Sequence, residues 1–464
     1  MSVLDPQTLV ERALAASTST DCVVMVRDTT SANLRWANNT LTTNGVMHRV
    51  HVTVVALTEV DGGRGVGSVS GTATDTPGVL DLVAAADAAA RAAAPAEDER
   101  PLVGATDAAP DWHLAPEPTD VHVYDDLAPG LGEAFSRARA GGRILYGFVN
   151  HEVTTLYLGS SSGLRLRHVQ PTGHYGCTGK DAALTTSCWV GGATRDFTDV
   201  DAAALDAEIE RRIGWGARRL DLPAGRYDTI LPPSAVADLM IDAYWAAGAR
   251  DAADGQSVYS RSGVGTRVGE QIARPGVGLW SDPAHPLLGC QPFATAATSG
   301  PSSSVFDNGL PLERTDWIAD GVLERLITTR HSADLLGLPV GPAVDNLVLE
   351  VAGATGGIED LVAGVEDGLL LTCLWYIREV DRQQLLLTGL TRDGVYVVRD
   401  GEIVGMANNF RFNERPLELL QRFSHASATV PSFSREWGDD YFSRTATPAL
   451  RIPDFHMSTV SQAL

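Results

Sequence analysis

The chain has 464 residues and 49.2 kDa, with 44% hydrophobic and 20% charged residues, a balance that provides a large buried core and excludes a disordered chain. Lys and Arg number 36 against 58 Asp and Glu, and the resulting charge of −22 excludes a nucleic-acid binder built on a basic face. Five dispersed cysteines without CxxC spacing exclude a disulfide framework or zinc ribbon, and no apolar run reaches the roughly 18 residues that would cross a bilayer. The first ten residues show no basic patch ahead of an apolar run, so a soluble cytoplasmic protein without a secretory signal is expected. Its preference for Ala, Gly, Val, Asp and Arg points to a high-GC bacterial coding sequence.

Residues 3–17 carry apolar positions at helical spacing and lead into a β-branched strand at 22–27. Strands follow at 33–41, 46–57 and 65–70, separated by turn signals at Asn44-Gly45 and Asp61-Gly62-Gly63. An Ala-rich helix at 79–94 precedes an exposed Pro- and acid-rich connection at 95–119. A second cycle has a helix at 127–140, strands at 143–149, 153–158, 164–169 and 187–192, and a helix at 201–219. Helices and hairpins stay segregated, which indicates an α+β fold with antiparallel sheet rather than parallel βαβ units.

The composition shifts at 223–226, which sets a domain boundary near residue 222: an N-terminal α+β domain over 1–222 and a sheet-rich domain over 223–464. The second domain is read as a helix at 234–247, a Gly/Ser/Pro-rich stretch at 255–309 and a helix at 317–336. Strands at 346–351, 368–380, 384–391, 395–398 and 403–412 complete it, with a hairpin turn at Arg399-Asp400-Gly401. Antiparallel β-sheet dominates this half.

Few residues carry a chemical signature. Gly159-Ser160-Ser161-Ser162-Gly163 matches GxSxG, but a strand rather than a helix follows, so the segment reads as a hairpin loop and not a nucleophile elbow. His168, His174, Cys177 and Cys188 are zinc-type ligands at spacings that fit no finger, and core cysteines with ordinary histidines explain them better. His151-Glu152 opens like a zincin motif without a second histidine at helical spacing. Gly263, Gly265 and Gly269 give GxGxxxG rather than a dinucleotide fingerprint. Asp307-Asn308-Gly309 before Pro311 reads as an Asx-type turn.

Several segments in order resemble the TldD/PmbA family, the TldD and TldE subunits of a bacterial peptidase once described as a modulator of DNA gyrase. Arg35-Trp36-Ala37-Asn38-Asn39 and the strand at 46–55 are similar to an early "R-F-A-N-N" hairpin. Phe306-Asp307-Asn308-Gly309-Leu310-Pro311, Gly321 and Ser332-Ala333 resemble a "Y-D-D-E-G-x-P … G … S-A" stretch. The strand at 367–378, the hairpin at 394–405 and Asn408-Asn409-Phe410-Arg411-Phe412 resemble its C-terminal sheet.

The resemblance implies an N-terminal α+β domain, a sheet-rich C-terminal domain, and a homo- or hetero-oligomer that cleaves unfolded or leader peptides in a closed cavity. It also implies that the active TldD subunit binds zinc through HExxxH on the first helix of its second domain, completed by a distant cysteine. Here the corresponding helix sets Met240, Ile241 and Trp245 where histidine, glutamate and histidine stand, and Val236, Leu239, Met240 and Ala243 form an apolar face at i, i+3, i+4, i+7. No cysteine follows Cys373, and the glycine-rich "C-G-K" sequence is missing near Arg435-Glu436-Trp437-Gly438. The expectation is therefore a metal-free, non-catalytic TldE/PmbA-like subunit, without cofactor, membrane or nucleic-acid partner, that pairs with a TldD-like zinc-bearing chain. An autonomous metal-independent hydrolase using His174, Cys177 and Cys188, or a homo-oligomeric peptide-binding scaffold, are the alternatives. No catalytic, metal-binding or cofactor-binding residue is assigned from the sequence, and the substrate groove is left unassigned.

Overall fold

A computed structural model describes residues 4–105, 108–262, 265–438 and 441–461. The N-terminal part runs α1 (Pro6–Ala16), β1 (Asp21–Ala37), β2 (Thr40–Val60), β3 (Gly63–Gly71), α2 (Thr76–Ala92), α3 (Leu127–Ala140), β4 (Arg143–Ser160), β5 (Arg165–Asp181), β6 (Ser187–Thr194) and α4 (Ala202–Trp215). It continues with β7 (Arg219–Leu220), β8 (Gly225–Leu231), α5 (Pro233–Trp245), α6 (Ala249–Ala253), β9 (Val277–Ser281), β10 (Thr315–Ala319), β11 (Val322–Leu323), α7 (Arg330–Leu336) and β12 (Leu347–Val351). Then come α8 (Ile358–Ala363), β13 (Asp367–Asp381), β14 (Leu386–Arg399), β15 (Glu402–Ala407), β16 (Asn409–Glu414), α9 (Pro416–Arg422), β17 (His425–Ala426), β18 (Val430–Ser432), β19 (Thr445–Thr447) and β20 (Leu450–Ser461). The α+β class read from the sequence is the observed one.

The first sheet is antiparallel, in the order β3-β2-β1-β4-β5-β6. Strand alternation gives its faces different tasks. Val24 and Val26 of β1, with Val52 and Val54, pack under Leu9, Val10 and Ala13 of α1 and Val79, Val83 and Ala86 of α2. Farther along the same face, Ala32, Leu34 and Trp36 lie with Leu131 and Phe135 of α3 and Ile209 of α4. The opposite face turns toward the rest of the chain, where Val23, Met25 and Leu158 meet Phe293, Val305 and Phe306.

Two more sheets follow, in the orders β11-β10-β9-β12-β19-β18 and β13-β8-β20-β16-β14-β15-β7. They include parallel pairs, β12 with β19, β8 with β13 and β7 with β15, within the antiparallel majority. A further pairing of β13 with β14 closes the larger sheet on itself around a core that includes Leu371, Val395, Phe410, Phe412 and Phe455.

Local chemistry explains where the structure departs from the expected elements. The first hairpin turns at Asn38-Asn39, both left-handed at φ 51° and 58°, and Asn44-Gly45 lies inside β2. Asparagine tolerates that conformation, and the strand before this earlier turn still holds Trp36 in the buried row with Ala32 and Leu34. The helix expected at 317–336 is instead the β10–β11 hairpin followed by the short α7, because Asp320-Gly321 (φ 48° and 80°) turns the chain. The strands expected at 384–391 and 395–398 form one strand, β14, kinked at Asp393-Gly394, while the one expected at 403–412 divides into β15 and β16. The helix at 201–219 stops at Trp215, capped at its start by the Asp201 side chain. The connection at 95–119 is not wholly exposed, since Trp112 is buried against Tyr157. Val3 and Gly263 lie outside the described residues.

Candidate functional site

Helix α5 begins after Pro232 with a proline in its first turn, which suits a helix start because the missing N–H has no intrahelical role there. Val236, Leu239, Met240 and Ala243 are all buried, as the apolar spacing requires. Ile241 is buried too, whereas Trp245 is 42% exposed and meets Trp437 edge-on at 5.2 Å. Of the residues set against HExxxH, Met240 and Ile241 are core side chains, and Trp245 meets the C-terminal segment through its ring.

The residues that do face it are Asp238 and Asp242, one turn apart. Ser434 Oγ donates to Asp238 Oδ1 at 2.5 Å, the Glu436 backbone N–H donates to the same oxygen at 3.1 Å, and Trp437 Nε1 donates to Asp242 Oδ2 at 3.2 Å. Glu436 in turn accepts the backbone N–H groups of Tyr376 (2.9 Å) and Ile377 (3.1 Å) and pairs with Arg378. Those N–H groups are aimed by a register shift in β13 between Trp375 and Arg378, where Tyr376 takes φ 52°. Helix, C-terminal turn and strand are tied into one network.

Burial dominates the electrostatics. Asp238 is fully buried with no hydrogen-bond partner for Oδ2, and desolvation pushes its carboxyl up to about 7, against the opposing bonds from Ser434 and Glu436. Asp242 is raised to about 7 as well, first by burial, with the Trp437 bond opposing. Two carboxyls that titrate near neutrality on one helix would suit proton transfer, but a group as enclosed as Asp238 touches no substrate. The donor set does not fit zinc either. Helix α5 has no imidazole or thiolate, Ser434 and Glu436 occupy the space beside Asp238, and no group of three His, Cys, Asp or Glu positioned for a metal occurs among the described residues.

Beside this network a cleft of about 450 Å³ opens between the first sheet and the C-terminal turn. His174 stacks on Phe433 with ring centroids 5.5 Å apart and lies 5.8 Å from Phe148. The Arg435 guanidinium sits over Trp375 at 4.1 Å and Trp189 at 5.3 Å. Arg35 and Trp36 complete the wall from β1. Along the same sheet face lie Arg27, Glu152, His168 and Thr172, and burial lowers the pKa of both Arg27 and His168.

The sequence candidates are dispersed by strand alternation. Cys177 and Cys188 point into the core under α3 and α4, where burial pushes each thiol up to about 12, while His168 and His174 face the other side of the sheet. His151 bonds Thr119 and the Arg195 carbonyl on the helix-covered face. The Gly159–Gly163 segment is a hairpin loop, with Ser161 Oγ donating to Asp21 and Ser162 Oγ to the Val103 carbonyl. Asp307 pairs with Arg330 at 2.6 Å and accepts its backbone N–H, and Asn308 pins the loop through Ala296 and Val305. That segment is structural. Gly265 and Gly269 take φ 94° and 86° in a loop. Cys373 is buried against Trp189 and Phe433 with its thiol raised by burial. Asp238 and Asp242 were overlooked in the sequence, although two carboxylates four residues apart on an otherwise apolar helix are a readable signal.

The family model for the PmbA/TldA metallopeptidase C-terminal domain matches residues 224–459, just over half of the chain. Three solved structures share the fold over nearly the full length. TldE from Thermococcus kodakarensis gives a TM-score of 0.74 at 16% identity, covering 97% of this chain and 99% of that one. A candidate modulator of DNA gyrase from Thermotoga maritima gives 0.75 at 16%, with the same coverage. Another, from Bacteroides thetaiotaomicron, gives 0.72 at 14%, covering 98% of each chain. A search of curated protein sequences gives no match. With the family's C-terminal domain matched across more than half of its length, the chain belongs to the PmbA/TldD metallopeptidase family.

Proposed function

We propose that this chain is a non-catalytic, TldE-like subunit of a cytoplasmic TldD/TldE-type peptidase, pairing with a zinc-bearing TldD-like chain and helping to hold unfolded or leader peptides. The observation that carries this reading is the α5 network. On the helix where the family resemblance places HExxxH, a buried aspartate accepts hydrogen bonds from Ser434 and Glu436, and no imidazole or thiolate is present. A division near residue 222, with the peptide gripped between the two parts, belongs to the same proposal. Separation of His174 from Cys177 and Cys188 by the sheet argues against the metal-independent hydrolase.

Assembly has a surface to use. Residues 40–51 of β2 pair only with β1, so their outer edge is unpaired among the described strands, and Leu41, Val46 and Met47 are exposed there. Residues 29–58 contain no Asp or Glu in a chain of charge −22, so a strand added at this edge meets little like-charge repulsion. We assign that edge to the TldD-like subunit. The test is co-purification from the source cell with a tagged TldD-like chain, combined with metal analysis of each separated subunit. The proposal expects the two chains together, with zinc in the partner alone. One tightly held zinc in this chain, lost on substituting His174 or Cys177, would overturn it.

A further inference from the structure

The cleft beside the α5 network is cationic in an otherwise acidic chain. Among the described residues that line it, Arg35 and Arg435 carry permanent charge and none is Asp or Glu, although the chain has 58 Asp and Glu against 36 Lys and Arg. Neither arginine forms an ion pair among the described residues, and Arg35 bonds Thr42 only through its backbone carbonyl. The carboxylates around Arg435 are engaged elsewhere. Glu436, the next residue, pairs with Arg378 and accepts two backbone N–H groups of β13. Asp393, whose field reaches Cys373 together with that of Arg435, lies 3.7 Å from Arg392 and accepts from Ser187 at 2.5 Å. Asp439 and Asp440 lie outside the described residues.

Strand register sets the shape of the cleft. Arg35, Phe148, Gly176 and Gly191 are successive cross-strand neighbours on β1, β4, β5 and β6, so one row runs across four strands on the face away from the helices. Three strand spacings make that row roughly 14 Å long. Its glycine end has no room for side chains: a Cβ at Gly191 would fall 2.2 Å from the Trp189 ring, and one at Gly176 would fall 3.1 Å from Trp189 Nε1. Over that end Arg435 stacks on Trp189 at 5.3 Å and on Trp375 at 4.1 Å. Its Nε is enclosed without a partner, which leaves the terminal N–H groups as the donors it offers the cleft. Arg35 stands exposed at the other end of the row. Between them Phe148 is 36% exposed, a large apolar ring left open to solvent.

We propose that this cleft takes an acidic, aromatic-bearing segment of the peptide, with carboxylates paired to Arg35 and Arg435 and an aromatic side chain against Phe148. Two arginines without countercharge at the ends of an aromatic floor match that chemistry. A guanidinium bonds a carboxylate through charge-assisted N–H groups, ring contact adds buried area, and a row of roughly 14 Å spans about four residues of extended chain. The preference would run against the net charge of −22, which repels an acidic peptide overall, so it can come only from a local site. The inference rests on the reading of this chain as a peptide-holding subunit and adds the class of peptide.

The probes are three short fluorescein-labelled peptides, titrated against the full chain alone by fluorescence anisotropy at about 0.15 M salt. The first has glutamates on both sides of a central phenylalanine, the second has glutamine in place of each glutamate, and the third keeps the glutamates with alanine in place of the phenylalanine. The first is expected to bind at least about 10-fold tighter than the second and at least about threefold tighter than the third. Arg35→Gln, at an exposed position, should cut the preference for glutamate over glutamine by at least about threefold and leave the unfolding midpoint unchanged. Arg435→Gln should cut it likewise, and Arg35→Gln decides the matter if loss of the stack on Trp189 and Trp375 unfolds that variant. Binding of the first peptide no tighter than either of the others, or an unchanged preference in Arg35→Gln, would overturn the proposal and leave the peptide-holding reading standing. No binding of any of the three would overturn both.

Discussion

Asp238 is a fully buried carboxyl at the centre of the α5 network. Its carboxyl has a pKa of about 7 in the folded protein, against about 4 in an unfolded chain, so the folded state binds more protons between those values. Stability should then fall as pH rises from about 4 through 7, the reverse of the usual trend for a paired carboxylate. Asp242, Glu436 and Arg378 share the network, and Asp242 titrates in the same direction. Asp238→Asn keeps an acceptor for Ser434 and Glu436 and removes the charge. It is predicted to stabilise the protein more at pH 8.5 than at pH 5.5, by a difference of about 1 to 3 kcal/mol, as read from urea midpoints. A parent whose stability is flat or rises between those pH values would contradict the reading. Sequence patterns could not show this, because the partners of Asp238 lie almost two hundred residues away, at Ser434 and Glu436.

At the scale of elements, α5 illustrates both what patterning reveals and where it stops. The row Val236, Leu239, Met240, Ala243 was legible because burial on a helix repeats every three to four residues. The opposite face was not, since its identity depends on which strand and turn arrive there. Met240→His and Ile241→Glu each place a polar or charged group in the core and are predicted to cost several kcal/mol in denaturant unfolding. Trp245→His, on a half-exposed position, should cost less than about 1 kcal/mol. The combined variant should neither bind zinc nor cleave peptide, and normal folding of Ile241→Glu would show that this face lines open space. Turn chemistry explains the misread elements. Asp320-Gly321 marks a hairpin as plainly as Asp400-Gly401 does, but the apolar residues around it, Trp317, Ile318, Val322 and Leu323, suggest a helix when the turn is given too little weight. Asn44-Gly45 misleads in the other direction, because the chain turns at Asn38-Asn39, whose side chains tolerate the left-handed conformation.

For the whole molecule, the first sheet is the organising layer. Its helices cover one face, and the other face supplies an apolar row around Met25 and Phe306, a polar row around Arg27 and Thr172, and the aromatic cleft at His174. In the proposed pairing with a TldD-like chain, the exposed edge of β2 is the contact surface. Val46→Lys is predicted to shift the complex toward free subunits, by at least about tenfold in dissociation constant, without changing the unfolding midpoint of the isolated chain. Sedimentation of the parent and the variant checks it, and an unchanged complex would remove β2 from the interface.

The most direct test of the central claim is cleavage of one unfolded peptide by three preparations: this chain alone, a TldD-like partner alone, and the two mixed in equal amounts. A non-catalytic subunit predicts no cleavage by this chain alone. It also predicts that the mixture cleaves faster than the partner by itself, and that this gain persists with Asp238→Asn in place of the parent. Cleavage by this chain alone at a rate comparable to the mixture, lost in Asp238→Asn, would contradict the account.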